Sequence, residues 1–417
     1  MTIKTWHAIC ATTLISAITV LHQVPPSTWA TSATASLTAG VISLACMAIA
    51  CILASRWGFI ENLFGGLDRM YETHKWLGIC ALIFAAYHFI FKAKLGVWDT
   101  APILELSKYW TRMVRQLSFI ALGFIVLLSL NRNIPYRVWR WWHKLSGPLF
   151  IIVILHWLSF ESPIRLNSPA GIWLGLLCTA GVIAAFYKLF LYKLVSPGGT
   201  YEIVAIDKGK RTVHLELKPS KRGFRFEAGQ FGFLSIMEKG LREPHPFSIA
   251  SANTDDGRIH FIIRALGDYT QKLYEQVRVG MLADVRAPHG RFKRPKNASK
   301  EIWIGAGVGI TPFISWLKDH SDNTKAQLIY CFDPNNVFPA LELVQEFAEE
   351  AKIPLIPNPS GSDNLAKAIH EAATETDPSS IHISFCGPKG LLAHVKELMS
   401  DAKIPKKNIH YELFEFR

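Results

Sequence analysis

The sequence has no cysteine pattern of the kind that holds a metal cluster or a set of disulfides. Its seven cysteines show no CxxC spacing, and the one CxxxxC pair, Cys46 and Cys51, lies like most of the others in an apolar run, where a thiol behaves as a small hydrophobic group. We therefore expect neither an iron–sulfur cluster nor a disulfide framework. The sequence also has no acidic calcium-binding loop, so we do not expect activation by calcium.

Acidic residues are scarce relative to basic ones. The chain has 33 Asp and Glu against 45 Lys and Arg, which gives a formal net charge of +12 at pH 7. Much of this excess lies in loops beside apolar segments and in the stretch from Lys293 to Lys300, and none of it forms a nucleic-acid recognition motif. The charge therefore predicts membrane lipid with acidic headgroups as a partner, and no nucleic acid.

Apolar residues make up 50% of the chain and are concentrated before residue 195. The remainder has the pattern of a soluble α/β protein, so the chain is predicted to be multi-domain. Six apolar runs are candidates for membrane spans, at residues 6–23, 36–54, 71–91, 116–130, 138–160 and 170–194. The first run resembles a signal peptide, but we expect it to be retained, because five spans would put the two ends of this region on opposite sides.

Positive charges predict the orientation of these spans, because cytoplasmic loops carry most Lys and Arg. The loop at residues 23–35 has no charge, whereas basic residues flank the starts of the third and fifth spans and the end of the sixth. The loop between the third and fourth spans is the exception, since it is also basic. The pattern predicts a multi-pass protein of the inner (cytoplasmic) membrane with both ends in the cytoplasm.

The third and fifth spans each carry two histidines, separated by 14 residues in one span (His74 and His88) and by 13 in the other (His143 and His156). At a rise of 1.5 Å per residue, the two members lie roughly 20 Å apart along the helix. Ionisable side chains inside a membrane are costly and usually functional, and neutral imidazole is a good iron ligand. We therefore predict four metal ligands, with one haem between His74 and His143 and another between His88 and His156.

This arrangement requires a distortion of the fifth span. At about 100° per residue, His88 lies within roughly 40° of His74 around its helix, whereas His156 lies roughly 140° from His143. Because proline removes a helical hydrogen bond, Gly147-Pro148 predicts a kink between the two histidines. The alternative is that the four histidines form separate hydrogen bonds between helices.

After residue 199, short alternating strands predict a small antiparallel β-barrel. They lie at residues 201–207, 212–217, 231–237 and 258–265. The same region contains the segment HPFSIAS, which starts at His245, and the sequence GDYT, which starts at Gly267. The second of these opens a helix, and the free N–H groups at a helix start are suited to phosphate.

From Glu301 the pattern becomes strand, helix, strand. A buried strand at residues 302–305 leads into GAGVGITP, whose glycines would let the backbone approach a pyrophosphate, although a plain tight turn is the alternative. Later strands at residues 327–332 and 381–385 continue the sheet. The last of them ends in Cys386-Gly387-Pro388, where open α/β sheets bind ligands. A lone buried cysteine before a turn is the alternative there.

In their order along the chain, these motifs resemble those of the ferric reductase and NADPH oxidase superfamily. They are the paired membrane histidines, HPFSIAS, GDYT, GAGVGITP, CGP and the terminal YELFEF. The resemblance implies a compact bacterial member with three domains: a six-helix transmembrane haem bundle at residues 1–195, an antiparallel β-barrel FAD domain at 196–297 and a doubly wound α/β domain for NAD(P)H at 298–417. It implies FAD, two b-type haems and NADPH or NADH as cofactors, with the FAD and NAD(P)H domains in the cytoplasm.

The resemblance also assigns site residues. Those that would line the flavin are His245, Pro246, Phe247 and Ser248, and those that would face the FAD pyrophosphate are Arg264, Gly267 and Thr270. Those that would hold the nicotinamide dinucleotide are Gly305, Gly307, Gly309, Thr311 and Pro312, with Cys386 and Gly387 beside the nicotinamide. Ser248, Cys386 and Phe416 would be the catalytic residues, with Phe416 stacked on the flavin ring until hydride transfer.

One position departs from the pattern of relatives that prefer NADPH. Those often carry an arginine just after the second strand of the nucleotide domain, where this chain has Asp333. A carboxylate there would repel the 2′-phosphate of NADPH and could accept a hydrogen bond from a ribose hydroxyl. NADH is therefore also a candidate donor.

The implied function is electron transfer from NAD(P)H through FAD and the two haems to an acceptor outside the cell, a ferric chelate or O2. No obligatory protein partner is predicted. Two alternatives remain from the sequence: a membrane-anchored flavocytochrome that feeds a separate protein or quinone, and a nonenzymatic transporter.

Overall fold

The structure, a computed structural model, describes residues 2–93, 96–131, 133–295, 298–319, 325–335 and 337–412, with the backbone alone at residues 136 and 137. The chain forms two compact units, Met1–Val195 and the part from Ser196 onward. The first is helical, and the second contains two β-sheets.

Most helices of the first unit are long and apolar, as expected where no solvent can satisfy the backbone. They are α1 Thr5–Leu21, α2 Ser32–Ala54, α3 Gly58–Phe64, α4 Leu67–Ile90, α5 Lys108–Leu130, α6 Tyr136–His143, α7 Ser146–Ser159, α8 Pro169–Phe186 and the short α9 Tyr192–Val195. A π-helical turn, Tyr187–Leu191, joins α8 to α9. Helix α2 is the most enclosed, because it packs against α1, α4 and α8.

Three helical segments of the described residues are long and apolar enough to cross a membrane. They are Ser32–Ala54, Lys108–Leu130 and Pro169–Val195, which contain the second, fourth and sixth predicted spans. The fourth begins at Lys108, eight residues before the predicted start. The total of six crossings stays a prediction.

The fifth predicted span is not one helix with a kink at Gly147-Pro148, and that part of the prediction was wrong. Helix α6 ends at His143 and α7 begins at Ser146, so the chain turns at Lys144 and Leu145. Pro148 is the third residue of α7, where a backbone N–H would have no partner within the helix. The proline therefore lies in the first turn of a new helix, and the break removes the fixed angle between His143 and His156.

The first sheet of the second unit is an antiparallel barrel-like sheet. Its strands are β1 Gly198–Gly209, β2 Thr212–Pro219, β3 Phe231–Ile236, β4 His245–Ser248, β5 Ile259–Arg264 and β6 Leu282–His289, in the order β4-β3-β6-β1-β2-β5. A bridge between Ile249 and Phe261 joins the two edges of the sheet. Alternate side chains, such as those of Tyr201 and Ile203, are fully buried in the barrel, as a strand period of two requires. Helix α10, Asp268–Gln276, follows β5.

The second sheet is parallel and covered on both faces. Its strands are β7 Lys300–Ala306, β8 Ala326–Phe332, β9 Leu355–Pro359, β10 Ile381–Cys386 and β11 Ile409–Glu412, in the order β11-β10-β7-β8-β9. Its helices are α11 Thr311–Lys318, α12 Leu341–Glu350, α13 Asn364–Glu375 and α14 Lys389–Asp401. Trp303 packs with Phe313 and Val344 on one face, and Ile304 packs with Val395 on the other. The predicted doubly wound arrangement therefore describes this sheet.

Candidate functional site

The four membrane histidines lie in two adjacent pairs in the structure. The ring centroids of His74 and His143 are 5.9 Å apart, and those of His88 and His156 are 6.4 Å apart. Two imidazoles that bind one iron, with nitrogen–metal bonds of about 2 Å each, have their centroids about 6 Å apart. Both separations therefore match the pairing predicted from the sequence, while the role of these residues as haem ligands stays a prediction.

The two histidines of α4 are oriented by carbonyl groups of α2. His74 Nδ1 lies 2.9 Å from the carbonyl oxygen of Ala50, and His88 Nδ1 lies 2.8 Å from that of Ser36. A carbonyl oxygen only accepts, so each Nδ1 donates and each Nε2 keeps its lone pair. This is the outer hydrogen bond that normally fixes the ring of a metal-binding histidine.

The partner histidines differ from each other. His143 Nδ1 lies 3.1 Å from Ser129 Oγ, and this hydroxyl donates its own proton to the carbonyl of Ile125 at 2.7 Å. Ser129 Oγ therefore accepts from His143. His156 Nδ1 is buried and has no hydrogen-bond partner among the residues that the structure describes, so this ring is held by packing, for example against Phe160.

Gly40 provides the space for the His88 ring. A Cβ atom at this position would lie 3.1 Å from His88 Nδ1, which is closer than ordinary van der Waals contact. The small residue therefore lets α2 and α4 approach until the His88 imidazole reaches the Ser36 carbonyl, as small residues do between membrane helices.

The donor set of each pair fits haem better than a bare ion. Within the described ranges, no group of three or more His, Cys, Asp or Glu side chains is placed to hold a metal. Two axial nitrogens are sufficient when a porphyrin supplies the remaining four ligands. The residues present therefore fit two haems, one at each pair.

The predicted flavin segment forms β4, an edge strand of the barrel. His245, Pro246, Phe247 and Ser248 pair in register with residues 234 to 231 of β3. The ring of His245 stacks on Tyr269 at 3.8 Å, and Tyr269 donates to the Leu241 carbonyl at 3.0 Å. Burial raises the pKa of Tyr269, which keeps the phenol protonated as a donor. Stacking thus joins the HPFS strand to the GDYT helix.

The hydroxyl of Thr270 is occupied by the turn before α10. It accepts from the N–H groups of Leu266 and Gly267 at 2.9 and 3.0 Å and donates to the Gly267 carbonyl. Thr270 therefore shapes the turn before α10 rather than offering a free hydroxyl to a phosphate. Gly267 and Asp268 line an open cleft of about 540 Å³. Arg264, at the end of β5, lies close enough to Tyr330 for its charge to act on that phenol.

The GAGVGITP and CGP segments meet at one edge of the parallel sheet. Gly305 pairs with Cys386 across β7 and β10. A Cβ atom on Gly309 would lie 2.2 Å from the Cys386 carbonyl oxygen, and one on Gly387 would lie 2.8 Å from the Ala306 Cβ. Only glycine allows these backbones to approach so closely. This backbone surface is the predicted dinucleotide site.

The other predicted residues of this segment have structural tasks. Gly307 has a φ of +52°, the left-handed conformation that favours glycine. Thr311 donates to the Val308 carbonyl at 2.8 Å, and Pro312 occupies the first turn of α11, where no backbone N–H is needed. Together they bend the chain from β7 into α11.

The sequence did not assign a role to Glu412, which the structure places beside Cys386. The two residues pair across β10 and β11, and both are buried. Burial raises the pKa of the Cys386 thiol well above its ordinary value, and the negative charge of Glu412 raises it further. The thiol is therefore protonated at neutral pH and suited to packing or weak donation, not to nucleophilic attack.

Glu412 also connects the nucleotide edge to the flavin strand. A Cβ atom on Gly290 would lie 2.9 Å from both Glu412 Oε1 and the ring of Phe231, and Phe231 pairs with Ser248. The structure therefore brings Ser248 and Cys386 to opposite ends of one continuous set of contacts. The third predicted catalytic residue, Phe416, lies outside the described residues.

Asp333 lies after β8, as predicted. It is exposed, and its Oδ1 accepts from the Asn335 N–H at 2.9 Å. The side chain therefore closes a short turn at the carboxyl edge of the sheet, where a nucleotide ribose would bind.

Two regions of the chain match known protein families. Residues 39–154 match the ferric reductase like transmembrane component, and residues 201–306 match an FAD-binding domain. The first range contains His74, His88 and His143, and the second contains the HPFS and GDYT segments.

Several known proteins are similar to large parts of the chain. Dual oxidase 2 of Sus scrofa is 26% identical over 62% of this chain and 18% of its own length. A superoxide-generating NADPH oxidase heavy chain of Dictyostelium discoideum is 26% identical over 47% of this chain and 31% of its own. The ferric/cupric reductase transmembrane component 7 of Saccharomyces cerevisiae is 22% identical over 68% of this chain and 46% of its own.

The chain thus spans less than half the length of each of these three relatives. The family resemblance predicted from the motifs is nevertheless confirmed by the matches on both sides of residue 196. The chain combines a ferric-reductase-like transmembrane domain with an FAD-binding domain, and it is homologous to the NADPH oxidases and ferric reductases.

Proposed function

We propose that the protein is an oxidoreductase that transfers electrons from NAD(P)H, through FAD and two b-type haems, to an acceptor on the far side of the cytoplasmic membrane. FAD supplies the conversion of a two-electron hydride donor into single electrons, and haem iron carries those electrons one at a time. The homology to NADPH oxidases and ferric reductases supports the reaction class.

The observation that carries this proposal is the pairing of the four histidines at two levels of one helix bundle. His74 and His88 lie 14 residues apart on α4, and each faces a partner histidine about 6 Å away. Both rings are held by carbonyls of the same helix, α2. If the histidines only formed structural hydrogen bonds between helices, they would not need to lie in pairs at two depths of the bundle. Two haems in sequence do require that arrangement.

In the second unit, the chain's own groups bind and orient the reactants. The close backbone contact at Gly309 and Gly387 leaves an edge against which a nicotinamide dinucleotide can lie. The HPFS strand and Tyr269 form the wall for the flavin. Cys386 and Glu412 are buried side by side at the nucleotide edge, where they would help to exclude water during hydride transfer.

The acceptor is an oxidant that takes single electrons, either O2 or a ferric complex. One relative is named as superoxide-generating and another as a ferric/cupric reductase. With a negative cell interior, moving one electron outward gains about 2.3 kcal/mol per 100 mV of membrane potential. Outward transfer is therefore favoured for either acceptor.

The decisive experiment is the absorption spectrum of the purified full-length protein under anaerobic conditions, before and after addition of NADH or NADPH. We expect a flavin spectrum together with haem bands that become reduced after the nucleotide is added, and reoxidation when O2 or ferric citrate is admitted. Flavin without haem would refute the relay. Haem that is reduced but not reoxidised by either small acceptor would favour a flavocytochrome that feeds a separate protein or quinone.

The donor preference is tested at one residue. Asp333→Arg replaces the charge that opposes a 2′-phosphate with one that attracts it, so the ratio of kcat/KM for NADPH to that for NADH should rise by roughly tenfold or more. Asp363→Arg, on the loop before α13, is the control for added surface charge and should leave the ratio unchanged.

A further inference from the structure

Lys188 is a membrane-domain lysine whose ammonium group points inward. It lies in the π-helical turn Tyr187–Leu191, between α8 and α9. Such turns are rare and frequently mark functional sites, because the extra residue in the turn re-aims a side chain. The Lys188 Nζ atom is buried and has no hydrogen-bond partner among the residues that the structure describes.

The groups around this ammonium are aromatic or cationic. Nζ lies 3.6 Å from the centre of the Tyr192 ring. Arg56 donates through Nε to the hydroxyl of Tyr71 and through a terminal nitrogen to that of Tyr192 at 3.5 Å. Among the residues that the structure describes, the charged groups close enough to act on Lys188 are Arg56 and Arg140, which are both cations.

This arrangement leaves the charge of Lys188 only partly compensated. The face of Tyr192 attracts a cation, but it accepts none of the three ammonium protons in the way that an oxygen would. A buried ammonium is costly unless it is paired and hydrogen-bonded, and two neighbouring cations increase that cost. An anion with oxygen acceptors would supply both the compensating charge and the missing hydrogen bonds.

The cluster adjoins the His74–His143 pair. The ring of Tyr71, which binds Arg56, lies 6.5 Å from that of His74. Arg140 belongs to α6, the helix that also carries His143 and the Trp139 ring stacked on it at 5.2 Å. An anion bound by this cluster would therefore lie beside the same pair.

We propose that Arg56, Lys188 and Arg140 form a binding site for an anionic oxygen group, a carboxylate or a phosphate. Two sources could supply such a group. One is the pair of propionate carboxylates of a haem at His74–His143, and this source rests on the proposed function. The other is the phosphate of a membrane phospholipid, which is independent of the proposed function. The π-helical turn serves to bring Lys188 into this site.

The test compares Lys188→Met with Lys193→Met in the purified full-length protein. Lys193 is exposed and lies five residues further along the same helical segment, so it controls for loss of a positive charge. The first measurement is a redox titration of the haem bands with dithionite and ferricyanide. The component that is missing from the titration of His74→Ala is assigned to the haem at His74–His143. The second is the phospholipid phosphorus retained per protein after detergent purification.

If the site holds propionates, Lys188→Met lowers the midpoint potential of that component, because a lost cation no longer favours the reduced iron. Lys188→Arg restores the potential, and Lys193→Met leaves it unchanged. If the site holds a lipid, Lys188→Met loses about one equivalent of phosphorus, and the potential does not change. If Lys188→Met does not accumulate, Arg140→Met from the other side of the cluster gives the same two readouts.

A Lys188→Met protein that matches Lys193→Met in both measurements would overturn the proposal. Protein purified without haem would refute the proposed function, while the phosphorus measurement would still decide whether the cluster binds a phosphate. The two failures are therefore distinguishable.

Discussion

The candidate site of the membrane unit is made of side chains, whereas that of the second unit is made largely of backbone. Three of the four imidazoles are oriented by hydrogen bonds that they donate to groups of helix α2 or α5, and the fourth, His156, is held by packing. The dinucleotide edge consists of peptide groups that touch because Gly309 and Gly387 have no side chains. The two regions therefore fail in opposite ways. Truncating a side chain should destroy the histidine site, and adding a side chain to a glycine should destroy the dinucleotide edge.

The difference follows from what each site is proposed to bind. Haem iron takes nitrogen lone pairs, which imidazole side chains supply. A pyrophosphate takes several N–H groups at close range, which the backbone of a strand–helix turn supplies. The predictions below test this contrast, in order of decreasing effect.

Deleting one imidazole should remove one complete haem site. In His88→Ala, the pair with His156 loses one of its two ligands, so about half of the haem absorbance per protein should disappear. His22→Ala removes an exposed histidine of the same unit and should retain all of it. Equal haem content in the two variants would refute ligation by His88.

Adding one methyl group should disable the dinucleotide edge. The Cβ atom of Gly309→Ala would lie 2.2 Å from the Cys386 carbonyl oxygen, so the two backbones must separate, at a cost of about 1–3 kcal/mol. We expect the rate of flavin reduction at low NAD(P)H concentration to fall by roughly tenfold or more, with haem content unchanged.

Gly390→Ala is the control for this prediction, because a Cβ atom there meets nothing within 4 Å. It should reduce flavin at the rate of the wild-type protein. Stopped-flow measurement of flavin bleaching distinguishes the two variants, and equal rates would show that the Gly309 contact does not shape the nucleotide site.

At Gly40 the membrane site, like the dinucleotide edge, depends on the absence of a side chain. A Cβ atom there would lie 3.1 Å from His88 Nδ1, so Gly40→Ala should displace the ring from the Ser36 carbonyl. In Gly78→Ala, the added Cβ has open space and should stabilise α4 by up to about 1 kcal/mol through helix propensity. Thermal loss of the haem bands should therefore occur at a lower temperature in Gly40→Ala than in Gly78→Ala. The reverse order would contradict the proposed crowding.

The smallest effect is expected at Ser129. In Ser129→Ala, His143 Nδ1 loses its acceptor, which costs about 0.5–1.5 kcal/mol and should weaken the haem at His74–His143 by at most roughly tenfold. Ser118→Ala is matched, because Ser118 also bonds the carbonyl four residues earlier in α5 but contacts no histidine. Transfer of haem to apomyoglobin should be faster from Ser129→Ala than from the wild-type protein, and Ser118→Ala should match the wild-type protein.

The apolar pattern and the turn residues predicted much of the fold. The strand of the GAGVGITP segment was predicted to within two residues and a helix was expected after it, because glycines and a proline mark the turn between them. Strands β4, β6, β9 and β11 were not predicted. Two of them, β4 and β9, contain internal proline, which is allowed at a sheet edge, and their edge positions depend on the completed sheet.

The kink shows a similar limit of the sequence. Gly147-Pro148 correctly signalled that the fifth span is interrupted, but the chain breaks at Lys144 and Leu145. Proline is disfavoured in a helix interior and tolerated in its first turn. A sequence therefore indicates that an interruption is near, while packing decides on which side of the proline it falls.

The sequence by itself determined which groups are available: four histidines in two apolar runs, glycines between a strand and a helix, and a cysteine before Gly387. Only the tertiary structure decided that Nδ1 of His74 donates to Ala50, that Lys188 and Arg56 both contact Tyr192, and that Glu412 lies beside Cys386. These contacts join residues on different helices or strands. The spacing of apolar residues along the sequence indicates whether a segment is a helix or a strand, but the contact partner of a side chain depends on how the helices and strands pack.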